Sequence, residues 1–262
     1  MKQRIISAIV AFIIVIPLTL LGGLYFKVFV FALGICSLYE MMKARKRLPS
    51  NMKYIVYLLF TILFLNNFDL VDVTYYLNIK LIMLSLLCLL LPLLIYHDND
   101  KYNIEDAFYL FGTTMFLSMA FNIIVNIRDE GLMLLIYILL ITITTDTFAY
   151  FFGIKYGKHK LIPSVSPKKS VEGLLFGTFV GTIIASGFYY YFVSSSNILI
   201  TILFTFLLTY VGQFGDLVFS SIKRYYNIKD FSNIMPGHGG ILDRLDSIIF
   251  VSIVYVYMIG LF

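Results

Sequence analysis

Long runs of apolar residues dominate this sequence and restrict what it can fold into. Of its 262 residues, 60% are hydrophobic and 13% are charged, whereas soluble domains contain about 45–50% apolar and about 25% charged residues. A helix that crosses a bilayer needs about 17–25 mostly apolar residues, because its backbone polar groups must be satisfied within the segment. The sequence therefore predicts an all-α polytopic membrane protein and leaves no room for a separate soluble domain.

Nine segments approach the length of a membrane span. They cover approximately residues 5 to 22, 24 to 42, 53 to 68, 79 to 96, 107 to 126, 131 to 152, 171 to 193, 197 to 219 and 241 to 261. The first segment follows Lys2 and Arg4, as in a secretory signal, but no small-residue cleavage site comes after it. We therefore expect about nine transmembrane helices in a single membrane domain, residues 1 to 262.

Basic residues are distributed unevenly between the two sides that this topology defines. With a cytoplasmic N-terminus, 17 of the 20 lysines and arginines lie in inside segments and 3 in outside segments, which agrees with the positive-inside rule. This predicts a cytoplasmic N-terminus and an outside C-terminus, in what we expect to be a bacterial plasma membrane. Basic loops that face an anionic leaflet also account for the net charge of +5 without a nucleic-acid partner.

Ionisable residues at membrane depth are concentrated in the second half of the chain. The first five predicted spans contain almost none apart from Glu40, so residues 1 to 130 are interpreted as scaffold. Ionisable groups are costly at membrane depth unless they are paired, metal-bound or hydrated. We therefore expect the chemistry in residues 131 to 262, at or near the residues Asp146, Glu172, Asp216, Asp243, Arg244 and Asp246.

The end of the eighth predicted span carries a stripe of polar residues. If the helix continues past residue 219, Asp216, Ser220 and Lys223 share one face because they are spaced by four and three residues. Ser221 and Arg224 would lie beside them. A carboxylate, hydroxyls and cations would then line one side of the helix.

A glycine-rich turn follows this stripe. The sequence Pro-Gly-His-Gly-Gly over residues 236 to 240 cannot continue a helix, so we expect a new helix to begin near Ile241. The first amide groups of a helix have no partner within it, and the helix dipole is positive there. The turn is therefore expected to form an anion site, with Gly239 and Gly240 contributing amides and His238 shaping the loop.

The acidic residues near this turn suggest a metal ion. Asp243 and Asp246 are three residues apart and share a helix face. Carboxylates repel a triphosphate unless a hard cation that prefers oxygen ligands bridges them, which predicts Mg²⁺. The expected ligands are Asp216 and Asp243, with Asp246 and Asp146 as further candidates and a second cation as an open alternative.

A purely structural interpretation is available for each of these residues alone. Lys223 and Arg224 would serve as positive-inside anchors, and Asp243 would pair with an arginine. Membrane topology, however, requires no acidic residues at membrane depth, no double glycine and no hydroxyl pair beside a carboxylate. We therefore interpret the whole group as a site.

About 27 consecutive positions of this region follow a recognisable pattern. It reads Ser220-Ser-Ile-Lys-Arg224, then Lys229-Asp230-x-Ser232, then Pro236-x-His238-Gly239-Gly240-x-x-Asp243-Arg244-x-Asp246. Upstream come Asp146-x-x-Ala149-Tyr150, Tyr156-Gly157-Lys158-His159-Lys160-Leu161 and Ser166-Pro167-Lys168-Lys169-Ser170-x-Glu172-Gly173. These residues resemble the signature of the CDP-diacylglycerol synthases, also called phosphatidate cytidylyltransferases. Ser170 departs from the more usual threonine but keeps the hydroxyl. From the residues themselves, Ser166-Pro167 predicts an extended turn, and Ser170 is expected to cap the N-terminus of the seventh predicted span.

The resemblance implies a reaction between a nucleotide and a lipid. A phosphate oxygen of phosphatidate would attack the α-phosphorus of CTP, giving CDP-diacylglycerol and pyrophosphate, without a covalent protein nucleophile. Such transfer depends mainly on positioning and charge neutralisation. The residues expected to act in catalysis are Lys223, Arg224, Asp243 and Asp246. Those expected to bind substrates are Ser166, Lys168, Lys169, Ser220, Ser221, Lys229, His238, Gly239, Gly240 and Arg244.

The sequence leaves two other functions open. A CTP-dependent lipid kinase of the polyprenol or phytol type would use the same nucleotide but transfer its γ-phosphoryl group. A transporter of anionic lipids would also contain buried charges and broken helices, although it would not crowd them on one membrane face. The expected partners are CTP, phosphatidate and membrane lipids, and a homodimer is an additional hypothesis.

Overall fold

The computed structural model describes residues 2–45, 48–65, 74–96, 101–195, 197–237 and 239–259. These residues form nine α-helices and one β-hairpin. The helices are α1 (Lys2–Leu21), α2 (Gly23–Ala44), α3 (Ser50–Leu65), α4 (Thr74–Leu90), α5 (Ile104–Glu130), α6 (Leu132–Tyr156), α7 (Val171–Phe192), α8 (Ile198–Tyr225) and α9 (Leu242–Ile259). The strands are β1 (Lys160–Ile162) and β2 (Ser166–Ser170), and a 3₁₀ turn (Leu91–Leu94) follows α4.

Every predicted span overlaps one of these helices, which confirms an all-helical membrane protein. Within the described residues, the helices α2, α5, α6, α7 and α8 are long and apolar enough to cross a bilayer. Apolar stretches of 10–17 residues also occur in α1, in α3 and around α4. Nine crossings and the orientation of the termini thus stay predictions. Helix α8 ends at Tyr225, six residues later than the predicted span, because hydropathy falls at its charged end while the helical backbone continues.

Helices α6 and α7 approach each other closely along a row of small residues. Gly173, Gly177 and Gly181 recur every four residues on one face of α7. A Cβ atom added at Gly177 would lie 2.7 Å from the Cβ atom of Ala149 on α6, and one at Gly181 would clash with the hydroxyl oxygen of Thr145. Small residues bring helix backbones close in membranes, where dispersion and interhelical polar contacts drive association. This contact fixes α6 against α7.

The β-hairpin between α6 and α7 was not expected from an all-α prediction. Strands β1 and β2 are antiparallel, and Lys160 pairs with Ser170 while Ile162 pairs with Ser166. The turn closes with a hydrogen bond from the Val165 amide to the Ile162 carbonyl. The sequence predicts only an extended turn at Ser166 and Pro167, because the strands are too short to show a clear alternation of polar and apolar residues.

One end of the helix bundle gathers the hairpin and several helix ends, and we call it the basic end. There the C-terminal ends of α2, α6 and α8 meet the N-terminal ends of α5, α7 and α9. Tyr109 near the start of α5, for example, donates a hydrogen bond to the Met41 carbonyl near the end of α2, at 2.8 Å. At the opposite end, Lys27 pairs with Asp129 at 2.9 Å. The ends therefore alternate as expected for antiparallel neighbouring helices.

Candidate active site

The polar face of α8 forms as the sequence predicts. Because the helix continues to Tyr225, Asp216, Ser220 and Lys223 lie on one side of it. Asp216 Oδ2 lies 2.7 Å from the Lys169 ammonium of β2, and the Ser220 hydroxyl donates to Asp216 Oδ1 at 3.2 Å. Lys169 also donates to the Gln213 carbonyl at 3.3 Å. The hairpin thus places the Lys169 ammonium beside the Asp216 carboxylate of α8.

A second lysine–carboxylate pair joins α8 to α9. Lys223 Nζ lies 2.6 Å from Asp243 Oδ1, and only 8% of Lys223 is exposed. The other carboxylate oxygen, Asp243 Oδ2, accepts hydrogen bonds from the Phe231 amide at 3.0 Å and the Gly240 amide at 2.9 Å. Both oxygens of Asp243 are therefore engaged, one by a cation and one by the glycine-rich loop.

The loop between α8 and α9 requires glycine at residue 239. Gly239 has a φ of +91°, a backbone conformation that side chains other than glycine rarely adopt. A Cβ atom there would also lie 2.9 Å from Asp243 Oδ2. Met235 and Gly239 form a small antiparallel bridge. The glycine therefore lets the chain turn sharply enough for the next amide to reach Asp243.

The N-terminus of α9 is occupied by a carboxylate of the protein itself. Glu40 near the end of α2 is fully buried, and it accepts hydrogen bonds from the amides of Ile241 and Leu242, both at 2.9 Å. It also accepts a hydrogen bond from the Ser232 hydroxyl. The amides at this helix start thus bind an anion, but in this structure it is Glu40. The Gly239 and Gly240 amides, which were expected to bind a substrate anion, donate instead to the Met235 carbonyl and to Asp243. The sequence signal for Glu40 was its position as the single acidic residue at depth in the first five predicted spans, to which no role was assigned.

Glu172 and Ser170 hold the hairpin against α7. Ser170 caps α7 by accepting a hydrogen bond from the Gly173 amide at 3.2 Å, which confirms the predicted N-cap. Glu172 in the first turn accepts hydrogen bonds from the amides of Lys158 and His159 at 3.1 and 3.2 Å. The neighbouring strand β2 is thereby fixed where it presents Lys169 to α8.

Arg224 connects the two loops that border the site. Its guanidinium group donates to the Val165 carbonyl in the hairpin turn and to the Ile228 carbonyl after α8, both at 3.2 Å. These contacts place a cation between the hairpin and the loop that leads to Asp243. Arg224 is exposed, so its charge remains accessible to an anionic ligand.

Three acidic side chains face one another near the Lys169–Asp216 pair. Asp146 on α6, Asp216 on α8 and Asp246 on α9 interact electrostatically, and Asp146 also interacts with Lys169 and Arg244. Asp246 is 7% exposed, while Asp146 is exposed. Among the described residues, no group of three or more His, Cys, Asp or Glu side chains is arranged to hold a metal ion. Oxygen from a ligand would have to complete any metal shell here.

Several predicted residues lie apart from this cluster. Ser221 lines an apolar cavity of about 610 Å³ between α5, α8 and α9. It lies on the side of α8 away from Asp216, because residues five positions apart do not share a helix face. Lys168 and Lys229 are exposed and Ser166 is partly exposed. The prediction for His238 lies outside the described residues. The structure therefore brings together most of the predicted acidic residues with Lys169, Lys223 and Arg224.

The arrangement is suited to binding a multiply charged anion next to carboxylates. Two lysines, each paired with an aspartate, and one exposed arginine lie at the same end of the bundle, among helix ends in a membrane protein. A phosphate group could compete for these cations while the carboxylates remain available for a bridging cation. The described part of this cluster contains no cysteine and offers no serine–histidine pair for covalent catalysis.

Comparisons with known proteins agree with this chemistry. The model of a family described as "Cytidylyltransferase family" matches residues 2–262. A phosphatidate cytidylyltransferase of Bacillus subtilis (strain 168) is 31% identical over 267 aligned positions, which cover 100% of this chain and 98% of the relative. Phosphatidate cytidylyltransferases of Staphylococcus aureus (strain COL) and Staphylococcus epidermidis (strain ATCC 12228) are each 33% identical, with 96% of both chains covered.

Proposed function

This chain belongs to the cytidylyltransferase family, and we propose that it transfers a cytidylyl group from CTP to phosphatidate, releasing CDP-diacylglycerol and pyrophosphate. The observation that carries the proposal is the pair of lysine–aspartate contacts, Lys169 with Asp216 and Lys223 with Asp243. They join three separate parts of the signature region, β2, α8 and α9, and bring two cations together. Full-length relatives named for this activity support the same substrates.

The reaction needs orientation and charge neutralisation more than acid–base groups. A phosphate oxygen of phosphatidate forms a bond to the α-phosphorus of CTP, and the bond from that phosphorus to the β-phosphate bridge oxygen breaks. Pyrophosphate carries away the negative charge. Cations placed around the phosphates lower the repulsion between two anionic substrates. We assign this role to Lys169, Lys223 and Arg224, with Lys168 and Lys229 as exposed cations that meet the nucleotide first.

The oxygen-rich donor set fits Mg²⁺ when a nucleotide supplies further ligands. Mg²⁺ is usually held by one or two carboxylates together with substrate phosphates, so a preformed group of three side chains is not required. We propose Asp216 as the principal ligand, with Asp146 or Asp246 beside it. Asp243 is the weaker candidate, because Lys223 and two amides engage its oxygens and its side chain is 5% exposed, against 30% for Asp216. A bound Mg²⁺ would neutralise charge on the phosphates.

The membrane arrangement follows from the charge distribution. We propose nine crossings, a cytoplasmic N-terminus, an outside C-terminus and a site on the cytoplasmic face of a bacterial plasma membrane. Lysines and arginines crowd the basic end, where the hairpin and the loop after α8 also lie, and this supports a cytoplasmic position for it. CTP would arrive from the cytoplasm and phosphatidate from the inner leaflet.

Purified protein incubated with phosphatidate and CTP tests the proposed reaction. CTP labelled at the α-phosphate should give labelled CDP-diacylglycerol, whereas CTP labelled at the γ-phosphate should give labelled pyrophosphate and an unlabelled lipid. Added chelator should abolish both products, and excess Mg²⁺ should restore them. A labelled lipid from γ-labelled CTP would instead identify a lipid kinase. Lipid movement across vesicle membranes without nucleotide turnover would identify a transporter.

A further inference from the structure

Glu40, an acidic residue of the N-terminal half, reaches the signature region, and the proposed reaction gives it no role. It lies near the end of α2, about two hundred positions from its partners in sequence, and its side chain is fully buried. The carboxylate nevertheless receives three hydrogen bonds, from the Ser232 hydroxyl and from the amides of Ile241 and Leu242. A buried carboxylate that accepts three hydrogen bonds is held firmly in one position.

The partners of Glu40 belong to the segment that also carries Asp243. Ser232 lies at the start of the glycine-rich loop, and Ile241 and Leu242 lie at its end, so the carboxylate joins both ends of the loop. Beside these contacts, the amides of Phe231, just before the loop, and of Gly240, near its end, hold Asp243, which pairs with Lys223. Glu40 and Asp243 therefore bind the same loop from opposite sides. Of these two carboxylates, Asp243 is the one that contacts Lys223 of α8.

The close approach of the backbone explains why residue 240 is glycine. A Cβ atom added at Gly240 would lie 2.5 Å from Glu40 Oε1 and 2.7 Å from Glu40 Oε2. Any side chain there would displace the carboxylate from the amides that it bonds. The second glycine of the pair is thus required by Glu40, whereas Gly239 is required by its own positive φ and by Asp243.

We infer that Glu40 is a positioning residue for the proposed cytidylyl transfer. It caps α9 and clamps the loop at Ser232 and at Ile241 and Leu242, and this sets the position of Asp243 and, through it, of Lys223. The inference rests on the proposed function for its kinetic consequence, but the clamp itself is a property of the fold. Scaffold helix α2 therefore takes part in the site through the loop, without contacting the reacting groups.

The variant Glu40→Gln tests the clamp while keeping the size of the side chain. One of its two terminal atoms becomes an amide nitrogen, which cannot accept a hydrogen bond from a backbone N–H. We expect kcat to fall about 10- to 100-fold, as for small displacements of groups that position substrates, while KM for CTP changes less than about threefold. Glu130→Gln, an exposed acidic residue at the far end of the bundle, is the matched control and should retain wild-type values.

A double-mutant cycle separates positioning from general damage. Gly240→Ala alone should lower kcat about as much as Glu40→Gln, because the new methyl group displaces the carboxylate. In a Glu40→Ala background the space beside residue 240 is free, so adding Gly240→Ala should lower kcat little further. Fully additive losses, or a wild-type kcat for Glu40→Gln, would overturn the inference. Ser232→Ala removes one of the three contacts and should give an intermediate loss even if the Glu40 variants fold poorly.

Hydrogen exchange measured by mass spectrometry in detergent gives a readout that does not depend on turnover. In Glu40→Gln, peptides covering residues 230–243 should exchange at least about tenfold faster, because the Ile241 and Leu242 amides bond different oxygens of Glu40 and one of them loses its acceptor. Peptides from α6 should not change. Unchanged exchange in the loop would refute the clamp. Wild-type protein inactive with CTP and phosphatidate, combined with faster loop exchange in the variant, would instead refute the proposed reaction and leave the clamp standing.

Discussion

At the scale of single residues, the structure distinguishes two kinds of aspartate that look alike in the sequence. Asp243 has one oxygen on a buried lysine and the other on two backbone amides. Asp216 is more open, and its partners are a lysine from a separate hairpin and a serine one turn away. The two carboxylates should therefore respond differently when each loses its charge.

Mg²⁺ titration of the two isosteric variants tests this difference. Asp216→Asn should raise the Mg²⁺ concentration needed for half-maximal activity by about tenfold or more, because a hard cation loses a charged oxygen ligand. Asp243→Asn should lower kcat strongly while leaving that concentration nearly unchanged, since it leaves Lys223 buried without its anion. The opposite pattern would restore Asp243 as the metal ligand. Asp129→Asn, at the other end of the bundle, should be silent.

The cations of the hairpin are also separable. Lys168→Ala should lower kcat/KM for CTP, because a charge-assisted contact to phosphate is lost. The expected loss of transition-state binding energy is about 1–3 kcal/mol. Lys160→Ala removes a similar charge from β1 of the same hairpin and should matter little. Steady-state kinetics on the two variants decides the question. Equal losses would mean that both lysines act only through the membrane surface.

At the scale of secondary-structure elements, the α6–α7 contact holds the parts of the site that lie on either side of the hairpin. Helix α6 carries Asp146, and α7 begins at the cap that fixes β2 and Lys169. The glycines of α7 let the helices approach until their backbones nearly touch. Their spacing in the sequence indicates a helix contact, but only the structure identifies α6 as the partner.

Two glycines of α7 provide a matched test of this packing. Gly177→Ala places a methyl group within 2.7–2.9 Å of Ala149 and Thr145, and such overpacking typically costs about 1–3 kcal/mol. Gly187 faces open space, so Gly187→Ala should be neutral or slightly stabilising through helix propensity alone, by up to about 1 kcal/mol. Thermal unfolding in detergent should show a lower Tm for Gly177→Ala only. Equal Tm values would argue against a close contact.

At the scale of the whole molecule, the charged loops at the basic end and the ion pair at the far end define two sides. The hairpin and the loop after α8 share the basic end with the start of α9, whereas Lys27 and Asp129 meet at the opposite end. An odd number of crossings would place the two chain termini on different sides. The orientation itself comes from the distribution of lysine and arginine.

Labelling of single cysteines with a membrane-impermeant maleimide tests the orientation. Cys36 and Cys88 are first replaced by alanine. Cysteines introduced at Lys160 and Asn233 should react in inverted membrane vesicles and not in intact cells, while cysteines at Glu130 and Ser195 should react in intact cells. All four positions are exposed in the structure. Reaction of the Glu130 position from the cytoplasmic side would contradict the nine-crossing topology.

Much of this protein follows from sequence alone, because the physics involved is local. Hydrophobic length fixes each membrane helix, since an unsatisfied backbone cannot lie in lipid. Periodicity placed Asp216, Ser220 and Lys223 on one face, and Ser170 was recognisable as a cap from its residue type and the helix that follows. The glycine-rich turn and the carboxylates near it indicated a phosphate site, and the motif spacing indicated the family.

The tertiary structure decided what depends on distant parts of the chain meeting. No local pattern shows that Glu40 caps α9, that Lys169 rather than Lys168 faces Asp216, or that Ser221 faces an apolar cavity instead of the carboxylates. The two short strands of the hairpin likewise exist because they pair with each other, not because either has a strong strand pattern. Charges buried among helices must find partners, but which partner each one finds depends on how the helices pack.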